Sequence, residues 1–175
     1  ADEGCQDLPD LRRHFADSAV DHLQGNLLPK LSSKVLVTGG TGFVGANVVR
    51  HLLRRGDAVV CAVRASSPGL CLEGLDVERV ELDLFDAHSL SRQLRGFDGV
   101  YHCAGTFDPG PGGEKKMQAI HVDATRALCD AGLEAGVRRL VLCSSSVTVG
   151  FGSKSAPGNE ETPIRDVDGV YGKAG

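Results

Sequence analysis

The sequence has no excess of positive charge. Its 19 lysine and arginine residues are outnumbered by 23 aspartate and glutamate residues, so the net charge is −4 with histidine neutral. A nucleic acid is therefore not expected as a partner. Most of the negative excess lies within residues 1–33, and the nearly neutral remainder favours a small-molecule site.

Long apolar runs are missing as well. No run approaches the ~18 residues that a membrane-spanning helix needs, and the chain contains no Asn-x-Ser/Thr acceptor for N-glycosylation. We find no internal repeat and no low-complexity segment. The composition is that of an ordinary globular protein, and 175 residues are enough to bury a core.

Metal-binding cysteine patterns are absent too. The chain has six cysteines but no Cys-x-x-Cys pair and no metal-ligand spacing. Cys61, Cys103 and Cys143 lie inside apolar runs, which predicts buried, reduced thiols and a reducing compartment. We therefore expect a cytoplasmic protein, although an organelle stays open because a removed targeting peptide would leave no trace in this sequence.

Two segments with different patterns follow one another along the chain. In residues 1–33, apolar residues recur roughly at helical spacing until Gly25 and Pro29 break the pattern, which predicts an amphipathic helical extension. From residue 34 to 175, short apolar runs alternate with helical patterns. Strands are predicted near 35–37, 58–64, 77–84, 99–105 and 139–146, and helices near 48–55, 87–96 and 114–135. This alternation predicts an α/β fold with a parallel sheet in the order 3-2-1-4-5, covered on both faces.

A glycine-rich stretch, "TGGTGFVG" at 38–45, joins the first predicted strand to the first helix. Gly39 would permit the tight turn, Gly42 would let a phosphate approach the backbone, and Gly45 would let helix and strand pack closely. The amino end of the helix that follows offers free N–H groups that suit a pyrophosphate, and Phe43 and Val44 are candidate cofactor contacts there. A glycine-rich turn without a ligand is the alternative, but the surrounding strand–helix series favours a dinucleotide.

Seven short motifs follow one another between residues 34 and 175. They are "TGGTGFVG" (38–45), "LDL" (82–84), "VYHCAG" (100–105), "HVDAT" (121–125), "SSSVTVGF" (144–151), "EETP" (160–163) and "YGKAG" (171–175). In this order they resemble the extended short-chain dehydrogenase/reductase family, which includes NAD-dependent epimerases and dehydratases, 3β-hydroxysteroid dehydrogenases and dihydroflavonol reductases. The resemblance implies a Rossmann-type doubly wound sheet that binds NAD(P).

The resemblance assigns cofactor contacts to several of these positions. Asp83, with Leu84, would contact the adenine. The carboxyl ends of predicted strands four and five would lie along the cofactor, through Cys103, Ala104, Gly105 and Ser144.

Arg64 decides the expected choice of nicotinamide cofactor. It stands at the end of the second strand, where an acidic residue would bind a ribose 2′-hydroxyl and an arginine accommodates a 2′-phosphate. "VRASS" also resembles the segment in which an arginine selects NADP in dihydroflavonol and cinnamoyl-CoA reductases. We therefore expect NADP, with NAD kept open and a solvated surface arginine as the alternative interpretation.

The resemblance also implies catalytic groups. Tyr171 would transfer a proton while a serine, Ser146 or else Ser145, holds the substrate oxygen. A phenol of pKa near ~10 needs a nearby cation to act at neutral pH. His121 replaces the asparagine of the family pattern, and it could relay a proton or be a hydrogen-bonded structural residue.

Two departures from the family pattern affect the expected activity. Gly175 occupies the place of the lysine four residues after Tyr171, and Lys173 would face another side of a helix. The helix, strands and substrate domain with which relatives continue are not in this sequence. The chain is then either a fragment or completed by a partner at the edge of strand five, with a homodimer as one form of partner. We expect cofactor binding at most from this chain alone.

Three functions remain open at this point. The first is an NAD(P)-dependent oxidoreductase acting on a secondary alcohol or ketone on an apolar skeleton. The second is a nucleotide-sugar epimerase or dehydratase with tightly bound NAD. The third is an NAD(P)-binding subunit that has lost catalysis.

Overall fold

The computed structural model describes residues 32–67, 69–146, 152–159 and 161–162. Within them, five parallel strands form one sheet in the order β3-β2-β1-β4-β5. This confirms the predicted α/β class and strand order. The predictions for the extension, for residue 163 and for Tyr171 lie outside the described residues.

Strands and helices alternate along the described chain, as the sequence predicts. A short 3₁₀ turn at Leu70–Leu72 lies between β2 and β3, and a π-helical turn at Ala119–Asp123 joins α3 to α4. The elements are β1 (Lys34–Thr38), α1 (Phe43–Arg54), β2 (Ala58–Val63), β3 (Glu78–Glu81), α2 (Ala87–Gln93), β4 (Gly99–His102), α3 (Gly113–Gln118), α4 (Ala124–Ala135) and β5 (Arg139–Leu142).

Side chains that alternate along the strands build one apolar cluster on each face of the sheet. On one face, Leu36 and Val100 pack with Leu90 of α2 and Leu128 of α4. On the other face, the members include Val35, Val37, Val49, Leu52 and Cys61, which bury one side of α1 against the sheet. Both clusters follow from the two-residue period of a strand and the helical spacing of apolar residues.

The strands are shorter at their carboxyl ends than the sequence predicts. β4 was expected over 99–105 and ends at His102, and β5 was expected over 139–146 and ends at Leu142. Beyond these residues the chain leaves the ladder and forms irregular segments at the carboxyl edge of the sheet. The predicted long helix over 114–135 contains the π-helical turn, which widens it locally at His121.

The expectation of buried thiols is only partly right. Cys61 is fully buried, but Cys103 is half-buried and Cys143 is exposed. The reason is the position of β5 as the last strand, where Val141 and Leu142 keep 40% and 44% of their surface exposed. Coverage of both sheet faces is therefore complete at the centre and incomplete at β5. No helix in the described part of the chain is long and apolar enough to cross a membrane.

Candidate cofactor-binding site

The predicted site residues that the structure describes lie mainly at one edge of the sheet. All five strands are parallel, so the segments that follow them emerge together at the carboxyl edge. The glycine turn after β1 lies at the centre of that edge, between the segments that follow β2 and β4. The carboxyl edge at the point where the strand order reverses, which we call the crevice, is the usual ligand site of an open α/β sheet.

Gly39 and Gly45 are required by close packing within the protein. Gly39 has a φ of +68°, and a β-carbon there would lie 2.6 Å from the Cys103 carbonyl and from the Ala104 nitrogen. A β-carbon on Gly45 would lie 2.2 Å from the Gly39 carbonyl oxygen. The first glycine thus forms the turn against the end of β4, and the third brings α1 onto that turn. Both roles agree with the sequence prediction.

Gly42 is different, because its side-chain direction is open. A β-carbon there would meet a single atom within 4 Å in the described chain, the Gly39 carbonyl oxygen at 3.3 Å. Its backbone is extended (φ −88°), so its conformation does not require glycine. Room for a ligand at the backbone, in place of room for protein, is what the sequence predicts for the second glycine.

The amino end of α1 presents polar groups toward this open space. Gly42 is the N-cap, its N–H donates to the Gly39 carbonyl at 2.9 Å, and Ala46 is the first residue to donate back to it. The N–H groups of Phe43, Val44 and Gly45 therefore have no carbonyl within the helix. No described side chain caps this end, and its first turn has no acidic residue. An anion is the natural ligand for such an end.

A buried polar chain supports the floor of the crevice. The two ring nitrogens of His102 hydrogen-bond with the hydroxyls of Thr38, at 2.7 Å, and Thr125, at 3.1 Å. The Ala104 N–H donates to the same Thr38 hydroxyl at 3.3 Å. This chain joins β1, β4 and α4 just beneath the glycine turn. Burial, aided by the charge of His121, lowers the pKa of His102 to about 4, so the ring is neutral at physiological pH.

His121 lies beside the segment that follows β4. Its Nε2 donates to the Thr106 carbonyl at 2.7 Å, and its Cε1 would be 3.0 Å from a β-carbon on Gly105. The π-helical turn directs this ring toward that segment. The contact suits the structural interpretation of His121, and it places the ring next to Gly105, which the sequence assigns to the cofactor.

Arg64 and Asp83 follow the neighbouring strands β2 and β3. Arg64 is exposed, and its guanidinium has no hydrogen-bond or ion-pair partner among the described residues. Asp83 is exposed and one of its carboxylate oxygens accepts the Phe85 N–H at 2.9 Å, while Leu84 packs on the core. Both polar side chains therefore lie at the same edge as the glycine turn.

The serines after β5 reach the far end of the same edge. Ser144 and Ser146 are exposed, and Ser145 is half-buried. Tyr171 lies outside the described residues, so its distance from Ser146 is not part of the described structure. Among the described residues, no cluster of three or more potential metal ligands is present.

Comparison with known proteins decides the family. A sequence profile of the NAD-dependent epimerase/dehydratase family matches residues 35–174. The chain belongs to this family. The extended short-chain dehydrogenase/reductase resemblance is thereby confirmed, together with the Rossmann-type sheet.

Named relatives of this epimerase/dehydratase-family chain include two enzymes with sterol-related names. It is 40% identical over 121 residues to sterol demethylase protein B of Methylococcus capsulatus, an alignment that covers 69% of this chain and 37% of the relative. It is 37% identical over 139 residues to a 3β-hydroxysteroid dehydrogenase/Δ5→4-isomerase of Mycobacterium tuberculosis, covering 76% and 37%. The chain thus spans somewhat over a third of the length of these relatives.

Among solved structures, a short-chain dehydrogenase/reductase superfamily protein from Agrobacterium tumefaciens with bound NAD superposes well. The TM-score is 0.66 at 32% identity, over 81% of this chain and 41% of the other. The epimerase/dehydratase-family fold of this chain therefore has a relative that holds a dinucleotide.

The sequence pattern did not reveal the roles of Thr38 and His102. Both residues fall inside the quoted motifs, but neither was assigned a function. A signal was present, since each is a polar residue at the end of an apolar strand. Their partnership could not be predicted, because they are 64 residues apart and meet only through the pairing of β1 with β4.

Proposed function

We propose that this protein is an NADP-dependent oxidoreductase that acts on a secondary alcohol or ketone carried by an apolar, steroid-like skeleton. The observation that carries the proposal is the open backbone at Gly42 next to the uncapped amino end of α1. Family membership supports the dinucleotide, and the names of the two sterol-related relatives support the substrate class.

In this proposal, different residues at the carboxyl edge would contact different parts of the cofactor. The N–H groups at Phe43, Val44 and Gly45 would hold the diphosphate, and Asp83 would accept hydrogen bonds from the adenine. Cys103, Ala104 and Gly105 would form the wall along which the dinucleotide lies. When bound, the nicotinamide supplies or accepts a hydride.

The proton chemistry is assigned to residues after β5. Tyr171 would donate or accept the proton of the substrate oxygen, and Ser146 would hold that oxygen by a hydrogen bond. The phenol needs a cation or hydrogen bonds to lower its pKa from ~10. His121, held by the Thr106 carbonyl, serves in this proposal to support the wall beside Gly105.

Arg64 provides the reason for preferring NADP. Its guanidinium is exposed at the end of β2 and unpaired within the described chain, so it can take a 2′-phosphate without breaking an existing contact. A planar guanidinium also stacks on an adenine ring, which gives one residue two contacts.

Titration of the chain with NADPH and NADH tests the cofactor assignment. We expect NADPH to bind more tightly, and Arg64→Ala to weaken NADPH about tenfold while it weakens NADH, which lacks the 2′-phosphate, much less. Arg95→Ala removes another exposed arginine, just after α2, and serves as the control. Equal affinity for both dinucleotides, unaltered in the Arg64 variant, would remove the NADP preference.

Turnover is tested on the protein as the cell makes it, with a 3β-hydroxysteroid and NADP⁺. We expect NADPH formation, followed by absorbance, and its loss in Tyr171→Phe. Release of stoichiometric NAD(H) when the purified protein is denatured would instead favour an epimerase or dehydratase that keeps its cofactor through the cycle. Binding without any turnover would favour a cofactor-binding subunit.

A further inference from the structure

Cys103 and Cys143 are neighbours at the carboxyl edge of the sheet. The pairing of β4 with β5 ends at His102 and Leu142, and the next residue on each strand is a cysteine. The Cys143 N–H donates to the His102 carbonyl at 2.9 Å, which joins the two segments of the chain at this point. Two thiols 40 positions apart in the sequence are thereby placed side by side.

The register favours the same face of the sheet for both thiols. Tyr101 and Val141 are partners in the ladder, and Tyr101 packs with the apolar cluster on the α1 face. Cys103 and Cys143 follow that pair by two residues, so the alternation of side chains along the two strands favours the same face for both thiols. Neighbouring strands are ~4.8 Å apart, inside the ~4.4–6.8 Å range that a disulfide needs between its α-carbons.

The two thiols also interact electrostatically. Burial raises the pKa of the Cys103 thiol to about 11, and the neighbouring Cys143 thiol contributes to the increase. Both residues lie just beyond the last paired residues of β4 and β5. Cys143 is exposed to solvent, whereas Cys103 is half-buried.

We propose that Cys103 and Cys143 are an oxidisable pair that a peroxide converts into an intramolecular disulfide. The sulfur of the exposed Cys143 thiol attacks one oxygen of hydrogen peroxide and the O–O bond breaks. The thiol proton passes to the departing hydroxide, so a sulfenic acid and one water result. The Cys103 sulfur then attacks the Cys143 sulfur, the S–O bond breaks, and a second water leaves with the Cys103 proton. Two thiols lose two electrons and two protons, and one peroxide becomes two waters.

The disulfide is expected to disturb the glycine turn. The Cys103 carbonyl group and the Ala104 nitrogen form the surface against which Gly39 packs, with no room for even a β-carbon between them. A bond that draws Cys103 toward β5 shifts this surface. Lower dinucleotide affinity in the oxidised protein follows, and this consequence rests on the function proposed above. Formation of the disulfide does not rest on it.

Mass spectrometry of the whole 175-residue chain tests the pair directly. The reduced protein is treated with hydrogen peroxide, remaining thiols are alkylated, and peptides are mapped without reduction. We expect one linked peptide pair joining Cys103 to Cys143, absent in Cys143→Ser and in Cys103→Ser. Cys71→Ser and Cys129→Ser, which remove half-buried thiols elsewhere in the fold, should retain the link.

Circular dichroism melts confirm that each variant is folded before oxidation. A peroxide-treated protein in which Cys143 is alkylated, or carries only a sulfinic acid, overturns the proposal. So does a link that joins Cys143 to another cysteine.

Dinucleotide titration of the reduced and oxidised protein forms the second arm. We expect oxidation to weaken binding several-fold in the unaltered protein and to have no effect in Cys143→Ser. A mapped disulfide with unchanged affinity supports the pair and overturns its coupling to the turn. A mapped disulfide in a protein whose reduced form binds no dinucleotide supports the pair and overturns the proposed function.

Discussion

The two edges of the sheet differ in how side chains hydrogen-bond the backbone N–H groups. At the amino edge, charged side chains satisfy the backbone locally. Asp98 accepts the Lys34 N–H at 2.8 Å and pairs with Arg138, and the buried Asp57 accepts from the Ser33 N–H and from Arg55. At the carboxyl edge, the amino end of α1 has neither a capping side chain nor an acidic residue among the described ones.

This difference supports the carboxyl edge as the place where we propose that an anionic ligand binds. Backbone N–H and C=O groups without hydrogen-bond partners lower the free energy of unfolding. Proteins therefore usually pair these groups with side chains or other backbone groups. The amino edge follows that rule with aspartates. At the carboxyl edge, glycine replaces the usual capping residue, and an anionic ligand would complete the contacts that a side chain would otherwise make.

The largest expected effect comes from the glycine that joins the turn to α1. Gly45→Ala would place its β-carbon 2.2 Å from the Gly39 carbonyl oxygen, and only backbone movement can relieve this overlap. We expect the free energy of unfolding to fall by about 3 kcal/mol or more. Chemical denaturation measures it.

Gly132→Ala is the matched control for that substitution, since it also places alanine inside a helix. Its β-carbon would lie an ordinary 3.7 Å from Val137, so we expect a gain of about 0.5–1 kcal/mol. Equal effects at both positions would contradict the packing role assigned to Gly45.

The next largest effect is expected from acid, which should destabilise the hydrogen-bonded network of His102 beneath the glycine turn. His102 has a folded-state pKa of about 4, below the ~6.5 of an unfolded chain, so its contribution is complete above pH 6.5 and declines as the pH falls toward 4. The loss is about 3 kcal/mol at pH 4, at ~1.4 kcal/mol per pH unit. Urea denaturation across this range measures it.

His102→Gln keeps hydrogen-bonding capacity but cannot titrate, so its stability should depend less on pH in this range. His51→Gln, at an exposed site on α1, should retain the full dependence. An unaltered pH dependence in His102→Gln would show that another group is responsible.

The next prediction compares the two edges by one matched substitution. Gly42→Ala and Gly99→Ala each place a β-carbon 3.3 Å from a backbone carbonyl oxygen, the first at the carboxyl edge and the second at the amino edge. We expect Gly42→Ala to weaken NAD(P)H binding about tenfold, which is ~1.4 kcal/mol, because the methyl group occupies the space proposed for the phosphate. Fluorescence titration of NAD(P)H should show unchanged affinity in Gly99→Ala. Equal NAD(P)H affinities in both variants would contradict the proposal that the pyrophosphate binds in this crevice.

The smallest effect is expected at the amino edge. Asp57→Asn keeps the shape of the side chain but removes the charge that Arg55 pairs with. We expect a loss of about 1 kcal/mol in unfolding free energy, read from a denaturant curve, with dinucleotide affinity unchanged. A loss of affinity in this variant would mean that the two edges are not independent.

Local patterns in the sequence predicted the fold well. Apolar runs alternating with helical spacing indicated the five parallel strands, and right-handed crossovers restricted the order in which they could pair. The ends of β4 and β5 and the π-helical turn at His121 were not predictable in this way. They depend on where neighbouring strands stop pairing and on how the helix packs over the segment that follows β4.

By itself, the sequence determined the class of fold and the glycine turn, because both depend on residues close together along the chain. Only the tertiary structure decided which distant groups meet. Thr38 joins His102, and Cys103 lies beside Cys143, through strand pairings across 64 and 40 positions. The physical reason is that contacts of this kind are set by the register of neighbouring strands, which no local pattern encodes.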